Sequence, residues 1–480
     1  MQPNTLRALL LLLCTAATST LVGNAIVRGR MKNANIGDRI EIYVPHYYLD
    51  NDANSYKVQL DGQLEFQIDA YITEPQLVFL VFGQDQLPIF LDPGDTLIVK
   101  ADMFQFPVMV EFGGKAAANN KLLSAYTKTQ LTDYNEFNNV RFKIGQWWFS
   151  LESSVNEQML ALPRPEFIAW ANEKQKESFA VYDRFMEAQS DMLSLSFREW
   201  IESEIIFTRA YHLLMYGAVY KNRYQIEDEY FDFLQEIPMV VSAIGSEAYR
   251  QYLQVYMARL QVNNGLEDRF YRGQYDFSGT LLEGKSLAFF RSEIIKMAFS
   301  SDRFQEILPA YNDFLRHNTY PEYEPKITAL YERTSRFAPG IAAPSFGGKD
   351  YYTASNFTNT SLSGKVIYLN FWATWCGACV KKMDFFNAFS PELAAAGVVI
   401  VNISIDENEA NWSDALVANR MAGYHLLAKS YPEQAMAATY GVQAVPQYFI
   451  IGANGMIAQK PYSNQPNDIL NRLIEVAKGK

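Results

Sequence analysis

Apolar positions change their spacing more than once along the 480 residues. Over residues 26–115 they fall in short runs: Ile40-Glu41-Ile42-Tyr43-Val44, Leu64-Glu65-Phe66-Gln67-Ile68, Leu77 to Phe82 and Leu97-Ile98-Val99. Asp61-Gly62 and Asp92-Pro93-Gly94-Asp95 separate them as turn formers. Short β-branched and aromatic runs between such turns predict strands. Several in series predict an all-β, sandwich-like domain.

From residue 116 to 336 the apolar period shifts to threes and fours. Glu166 to Met192, Phe197 to Tyr220, Glu247 to Leu260 and Gly284 to Phe299 read as packed helices of an α-helical middle region. Its many Tyr and Phe, Trp147-Trp148 among the aromatics, suit helix–helix core, with a cleft for an unfolded peptide as the alternative. Phe337-Ala338-Pro339-Gly340-Ile341-Ala342-Ala343-Pro344 reads as a linker. Beyond it, over residues 337–480, strand and helix alternate as in an open α/β sheet. Val366 to Trp372 and Val398 to Ile405 are strands. Cys376 to about Phe389, Glu409 to Met421, Gln434 to Tyr440 and Pro466 to Lys478 are helices. Gln447 to Ile451 and Met456 to Gln459 form a hairpin around Gly452-Ala453-Asn454-Gly455.

Composition narrows the function. With 49% hydrophobic and 20% charged residues the chain is globular. A net charge of −11 opposes nucleic acid or an anionic membrane surface as partner. Residues 1–25 read as a signal peptide: Arg7, an apolar run from Ala8, and Gly23-Asn24-Ala25 before a cleavage at Ile26, with Thr15-Ala16-Ala17 as a second option. The expected location is therefore exported, in the periplasm or cell envelope. Attachment to the membrane would follow only if Cys14 carried a lipid. Of three cysteines, only Cys376 and Cys379 remain in the mature chain. An oxidising compartment favours structural disulfides, yet a bridge across two intervening residues constrains little chain and stabilises weakly. Such a bridge is there to react.

Cys376-Gly377-Ala378-Cys379 stands where a buried strand hands over to a helix. Free N–H groups and the macrodipole at a helix N-terminus favour a thiolate there. Cys379, a turn further on, is placed to attack a mixed disulfide on Cys376 and release the partner. Zinc needs four ligands; no other mature cysteine exists, and His46, His212, His317 and His425 are scattered. No metal is expected, although a copper site of Cys376, Cys379 and His425 is a rival by ligand softness.

Val366 to Cys379, with Ala343-Pro344-Ser345-Phe346 upstream and Ala444-Val445-Pro446 downstream, resembles the TlpA/ResA family of envelope thiol–disulfide oxidoreductases. The likeness spans about residues 338–478. It implies a C-terminal α/β thioredoxin fold behind N-terminal accessory domains. It also implies Cys376 as attacking and Cys379 as resolving cysteine, and Pro446 as a cis-proline facing them. Val445 would offer backbone groups to an extended substrate, with Trp372 and Trp375 beside the sulfurs. A carboxylate after the next strand, Asp406 or Glu407, would assist proton transfer; a helix capping box over Asp406-Glu407-Asn408-Glu409 is the alternative. Asn370 stands where thioredoxin itself has a buried Asp. Gly377-Ala378 lacks the family's common proline, and Asp384 replaces a second one. Leu369 and Ala373 lack the Pro and Thr/Ser that a peroxiredoxin needs. The implied activity is reductive exchange with protein thiols or disulfides, of the kind that serves cytochrome c maturation. A membrane electron donor would supply it, with no cofactor beyond the redox-active disulfide. The alternative is an envelope polypeptide- or ligand-binding protein in which this domain is secondary.

Overall fold

The structure, a computed structural model, describes residues 23–45, 53–130, 162–224, 227–237, 241–263, 270–301, 303–428, 433–442, 444–459 and 465–479. Most of the expected signal peptide with Cys14, and also His46 and Trp147-Trp148, lie outside the described residues. The chain divides into two compact units, Met1–Arg291 and Ser292–Lys480. This division falls well before the stretch read as a linker.

The first unit opens with two four-stranded sheets. One runs β4-β1-β7-β8, from β1 (Gly23–Lys32), β4 (Glu65–Ile72), β7 (Thr96–Asp102) and β8 (Val110–Gly113). The other runs β3-β2-β5-β6, from β2 (Arg39–Pro45), β3 (Ala53–Gln59), β5 (Gln76–Phe82) and β6 (Asp85–Leu91). Neighbouring strands are antiparallel except β1 and β7. Alternate residues of both sheets, among them Val27, Ile42, Ile68, Leu80, Ile89 and Val99, enclose one apolar core, as a sandwich requires. The expected strands are present; β1, β3, β6 and β8 are additional. Strand β1 begins ahead of the cleavage expected before Ile26: Ala25 is fully buried and pairs with Ala70.

The other face of β5 explains its unbroken apolar run. Leu77 and Phe79, with Phe90 of β6, pack on Leu122, Phe197, Trp200 and Ile201. These come from α1 (Ala117–Gln130) and α3 (Leu195–Tyr224), between which lies α2 (Arg164–Gln189). Helices α4 (Glu247–Asn263), α5 (Phe270–Ser278) and α6 (Gly284–Phe299) follow. The aromatic richness serves packing, as in the contact of Phe207 with Tyr249, ring centroids 4.6 Å apart.

In the second unit α7 (Phe304–His317) and α8 (Glu324–Ser335) precede the small hairpin β9 (Gly347–Lys349) and β10 (Asn356–Thr358). A five-stranded sheet of order β13-β12-β11-β14-β15 follows. Its strands are β11 (Val366–Trp372), β12 (Val398–Ser404), β13 (Tyr424–Leu427), β14 (Gln447–Ile451) and β15 (Ile457–Gln459). The helices between and after them are α9 (Gly377–Ala395), α10 (Glu409–Asn419), α11 (Glu433–Thr439) and α12 (Pro466–Ala477). Strand β11 pairs parallel with β12 and antiparallel with β14, and apolar clusters cover both faces of the sheet. This is the thioredoxin-like arrangement. The stretch read as a linker is instead tied down. The Gly340 N–H donates to Ile457 O (2.8 Å), Ile457 N–H to Ile341 O (2.7 Å) and Ala343 N–H to Gly455 O (3.0 Å). Phe337 stacks on Tyr440. Prolines and a glycine mark irregular backbone without saying whether it packs.

Candidate active site

Every residue of β11 is buried, so the central strand is a fixed rail that ends at Trp372. Cys376 is the N-cap of α9, and its Sγ accepts the Cys379 N–H at 3.2 Å. The two sulfurs are joined as a disulfide. Access to them is unequal: Cys376 is 9% exposed and Cys379 1%. Cys376 is therefore the more accessible cysteine of the pair. The cap places Cys376 against unpaired helix N–H groups, which favour the thiolate once the bridge opens.

Around the pair pack Trp372, Met383, Trp412, Leu416 and Met421, with Val445 against them. Trp375 points the other way and is 69% exposed. The Val445–Pro446 peptide is cis. Cysteines, Trp372 and Val445 thus share one cluster, while Trp375 stands on the surface beside Cys376.

Asp406 is buried at the end of β12, where its carboxylate is a clamp. It accepts the Thr374 N–H at 3.0 and 3.1 Å, the Thr374 hydroxyl at 2.7 Å and the Ser404 hydroxyl at 2.6 Å. Ile405 N–H donates to Trp372 O at 2.9 Å. The turn that delivers Cys376 is held from the neighbouring strand by these bonds. Glu407 is exposed. The capping box is not formed: Asn408 caps α10, accepting the N–H groups of Ala410 and Asn411. An Asn one residue before the helix satisfies two of its orphan donors by itself. Beneath the site, Asn370 donates to Asn402 at 3.0 Å and Asn402 to Ala422 O at 3.1 Å. Two neutral side chains thus form a short chain of hydrogen bonds that runs from β11 through β12 to the Ala422 carbonyl.

His425 stands apart from the cysteines. It is fully buried, and its Nε2 lies 3.1 Å from Met421 O. Burial pushes its pKa down to about 4. Among the described residues, no three His, Cys, Asp or Glu side chains gather as a metal site would need. Sequence reasoning missed Thr374 and Trp412, and passed over Lys382, a buried lysine three residues after Cys379 in α9. For Lys382 a signal existed: it occupies the helix face of Cys379, where a core position is expected.

The Redoxin family model matches residues 338–474. Thiol-disulfide oxidoreductase ResA of Bacillus thuringiensis (strain Al Hakam) is 32% identical over 114 residues, 23% of this chain and 61% of that protein. The chain thus spans about three fifths of that relative's length. ResA of Bacillus thuringiensis subsp. konkukian (strain 97-27) is 31% identical over 134 residues, covering 25% of this chain and 75% of the relative. A crystal structure of a putative thiol:disulfide interchange protein DsbE from Chlorobium tepidum is 24% identical, at a TM-score of 0.27 over 29% of this chain and 98% of that one. Strand, capped cysteine and sequence kinship converge on the same residues, and the chain belongs to the ResA-like thiol-disulfide oxidoreductases of the thioredoxin superfamily.

Proposed function

We propose that this protein is an extracytoplasmic thiol–disulfide oxidoreductase whose Cys376–Cys379 pair reduces disulfides of protein substrates. The observation that carries the reading is the unequal exposure of two cysteines at a helix head, Cys376 being 9% and Cys379 1% exposed. In the dithiol form, the Cys376 thiolate attacks a substrate disulfide and one substrate sulfur leaves. Cys379 then attacks Cys376 Sγ, the mixed disulfide breaks, and the second substrate sulfur departs as a thiol. The internal disulfide is restored, and the substrate has gained two electrons. Val445 and Pro446 line the edge along which an extended substrate would lie, and Trp375 offers an apolar contact beside it. A membrane electron donor outside the cytoplasm would return the pair to the dithiol, with no cofactor beyond the bridge.

Insulin reduction tests this. Wild type turns over, whereas Cys376→Ser falls to the uncatalysed rate. Cys379→Ser, still able to attack but unable to resolve, accumulates a mixed disulfide visible on a non-reducing gel. Equal, negligible turnover of wild type and Cys376→Ser, with no trapped adduct, defeats the proposal.

A further inference from the structure

Resolution requires Cys379 to be a thiolate inside an apolar cluster, where burial alone pushes a thiol's pKa up. Something must offset that. Asp406 would add a negative charge, and its oxygens already serve Thr374 and Ser404; Glu407 is exposed. A cation is the group that chemistry calls for, and one lies on the same helix.

Lys382 is the only lysine or arginine that is buried among the described residues of the second unit. It follows Cys379 by three residues in α9, and residues so spaced are neighbours on one helix face. Both are buried, which puts that face against the sheet. Long side chains on a helix lean back toward its N-terminus, over the preceding turn. Here that turn begins at Cys379. Lys382 Nζ itself sits over the ring of Tyr448, 5.4 Å from its centroid. Tyr448 is in β14, two residues beyond Pro446.

We propose that Lys382 is a positioning residue for thiol–disulfide exchange, its buried ammonium favouring the thiolate of Cys379 as that sulfur attacks the mixed disulfide. The inference rests on the exchange reading above. In the step, the Cys379 thiolate forms a bond to Cys376 Sγ, the Cys376–substrate bond breaks, and the substrate sulfur leaves as a thiolate protonated by water. Lys382 gains and loses no bond.

On α9 itself Lys381 and Asp384 are exposed, and the described elements packed on the helix bring few titratable groups toward Lys382. Strand β12 contributes no titratable side chain. Strands β11 and β14 contribute Tyr368 and Tyr448, and burial holds Tyr368 protonated far above neutral pH. Helix α12, packed on α9, turns Ile469, Leu470 and Leu473 inward while Asp468 is exposed and Arg472 pairs with Glu475 at 3.0 Å. Burial also lowers the Lys382 pKa, so its help fades at a less alkaline pH than for an ordinary lysine.

Two measurements on the full chain test this. The first is the rate at which Cys379 resolves a preformed Cys376 mixed disulfide with a small aromatic thiol, followed against pH. Lys382→Met keeps the length and removes the charge. It should raise the thiol limb by about one pH unit, slowing resolution roughly tenfold at neutral pH, and Lys382→Arg should restore most of the rate. A wild-type profile in Lys382→Met overturns the proposal, as does an equal loss in Lys382→Arg. The second needs no substitution: the Lys382 amine is titrated by nitrogen NMR in oxidised and reduced protein. Coupling is reciprocal, so reduction should raise the amine pKa, and identical titrations overturn the proposal. A wild type that forms no mixed disulfide sinks the exchange reading instead, and the amine titration still decides the role of Lys382.

Discussion

Both units of this protein bury carboxylates, and two of them, Asp406 and Glu204, are treated in opposite ways. Asp406, in the second unit, has donors on both oxygens: Thr374 N–H and hydroxyl and the Ser404 hydroxyl. Glu204 of α3, in the first, receives the N–H groups of Glu247 and Ala248 on one oxygen, at 2.7 and 3.4 Å. Its Oε2 is buried with no hydrogen-bond partner among the described residues. Desolvation raises the Glu204 pKa to about 7, with the nearby Glu247 adding to it against Ser246 and Arg250. Burial is common to both, so the number and aim of donors decides whether a buried acid organises the structure or weighs on it.

Asp95 offers a middle case. It is buried, its pKa is raised by desolvation, and it holds Lys115 Nζ at 3.0 Å and the Asp92 N–H at 2.9 Å. Three substitutions grade the comparison. Asp406→Ala takes the acceptor from several donors at once and leaves the buried Ser404 hydroxyl proton without one. We expect a local loss of about 4 kcal/mol, read as a fall in hydrogen-exchange protection of the Thr374 amide, and slower exchange because the turn before Cys376 loosens. Unchanged protection would mean that the clamp holds nothing.

Glu204→Gln should instead stabilise at neutral pH. The folded pKa lies above that of the unfolded chain, 4.5, so between the two values the folded state binds more protons. Stability from this group is full below about pH 4.5 and is lost as pH rises toward about 7, by roughly 3 kcal/mol in all. The amide should flatten that decline. Melting curves of the first unit's transition at pH 5 and pH 8 measure it, and parallel slopes in both proteins would contradict the orphan-oxygen account. Lys115→Met should cost least, about 1 kcal/mol, since the Lys115 side chain is 67% exposed and water screens the pair. Denaturant titrations at low and high salt should converge for this variant and the wild type.

What the sequence made legible follows the range of the interactions. Strand β11 and helix α9 were readable because the buried run Val366–Trp372 and the Cys pair are local patterns. The hold on that junction was not, because Asp406 reaches Thr374 across 32 positions and its side chain competes with a capping reading of the same four residues. Strand β13 escaped notice because Tyr424–Leu427 is short and carries a histidine that is nonetheless fully buried. Strand β1 lay partly in what reads as an export leader, and Pro88 in β6 argues against a strand until its position in the sheet is seen. In the middle region the period of three and four gave α2, α3, α4 and α6, yet could not foresee that α1 and α3 cover the outer face of β5.

The bonds from Gly340, Ile341 and Ala343 to the far side of the sheet have a practical corollary. They shield the flank of β15, whose backbone would otherwise present open hydrogen-bonding groups to other chains. A C-terminal fragment begun at Pro344 would bare that flank and gain a surface for sticking to its own copies. One begun ahead of Phe337 would keep its cover.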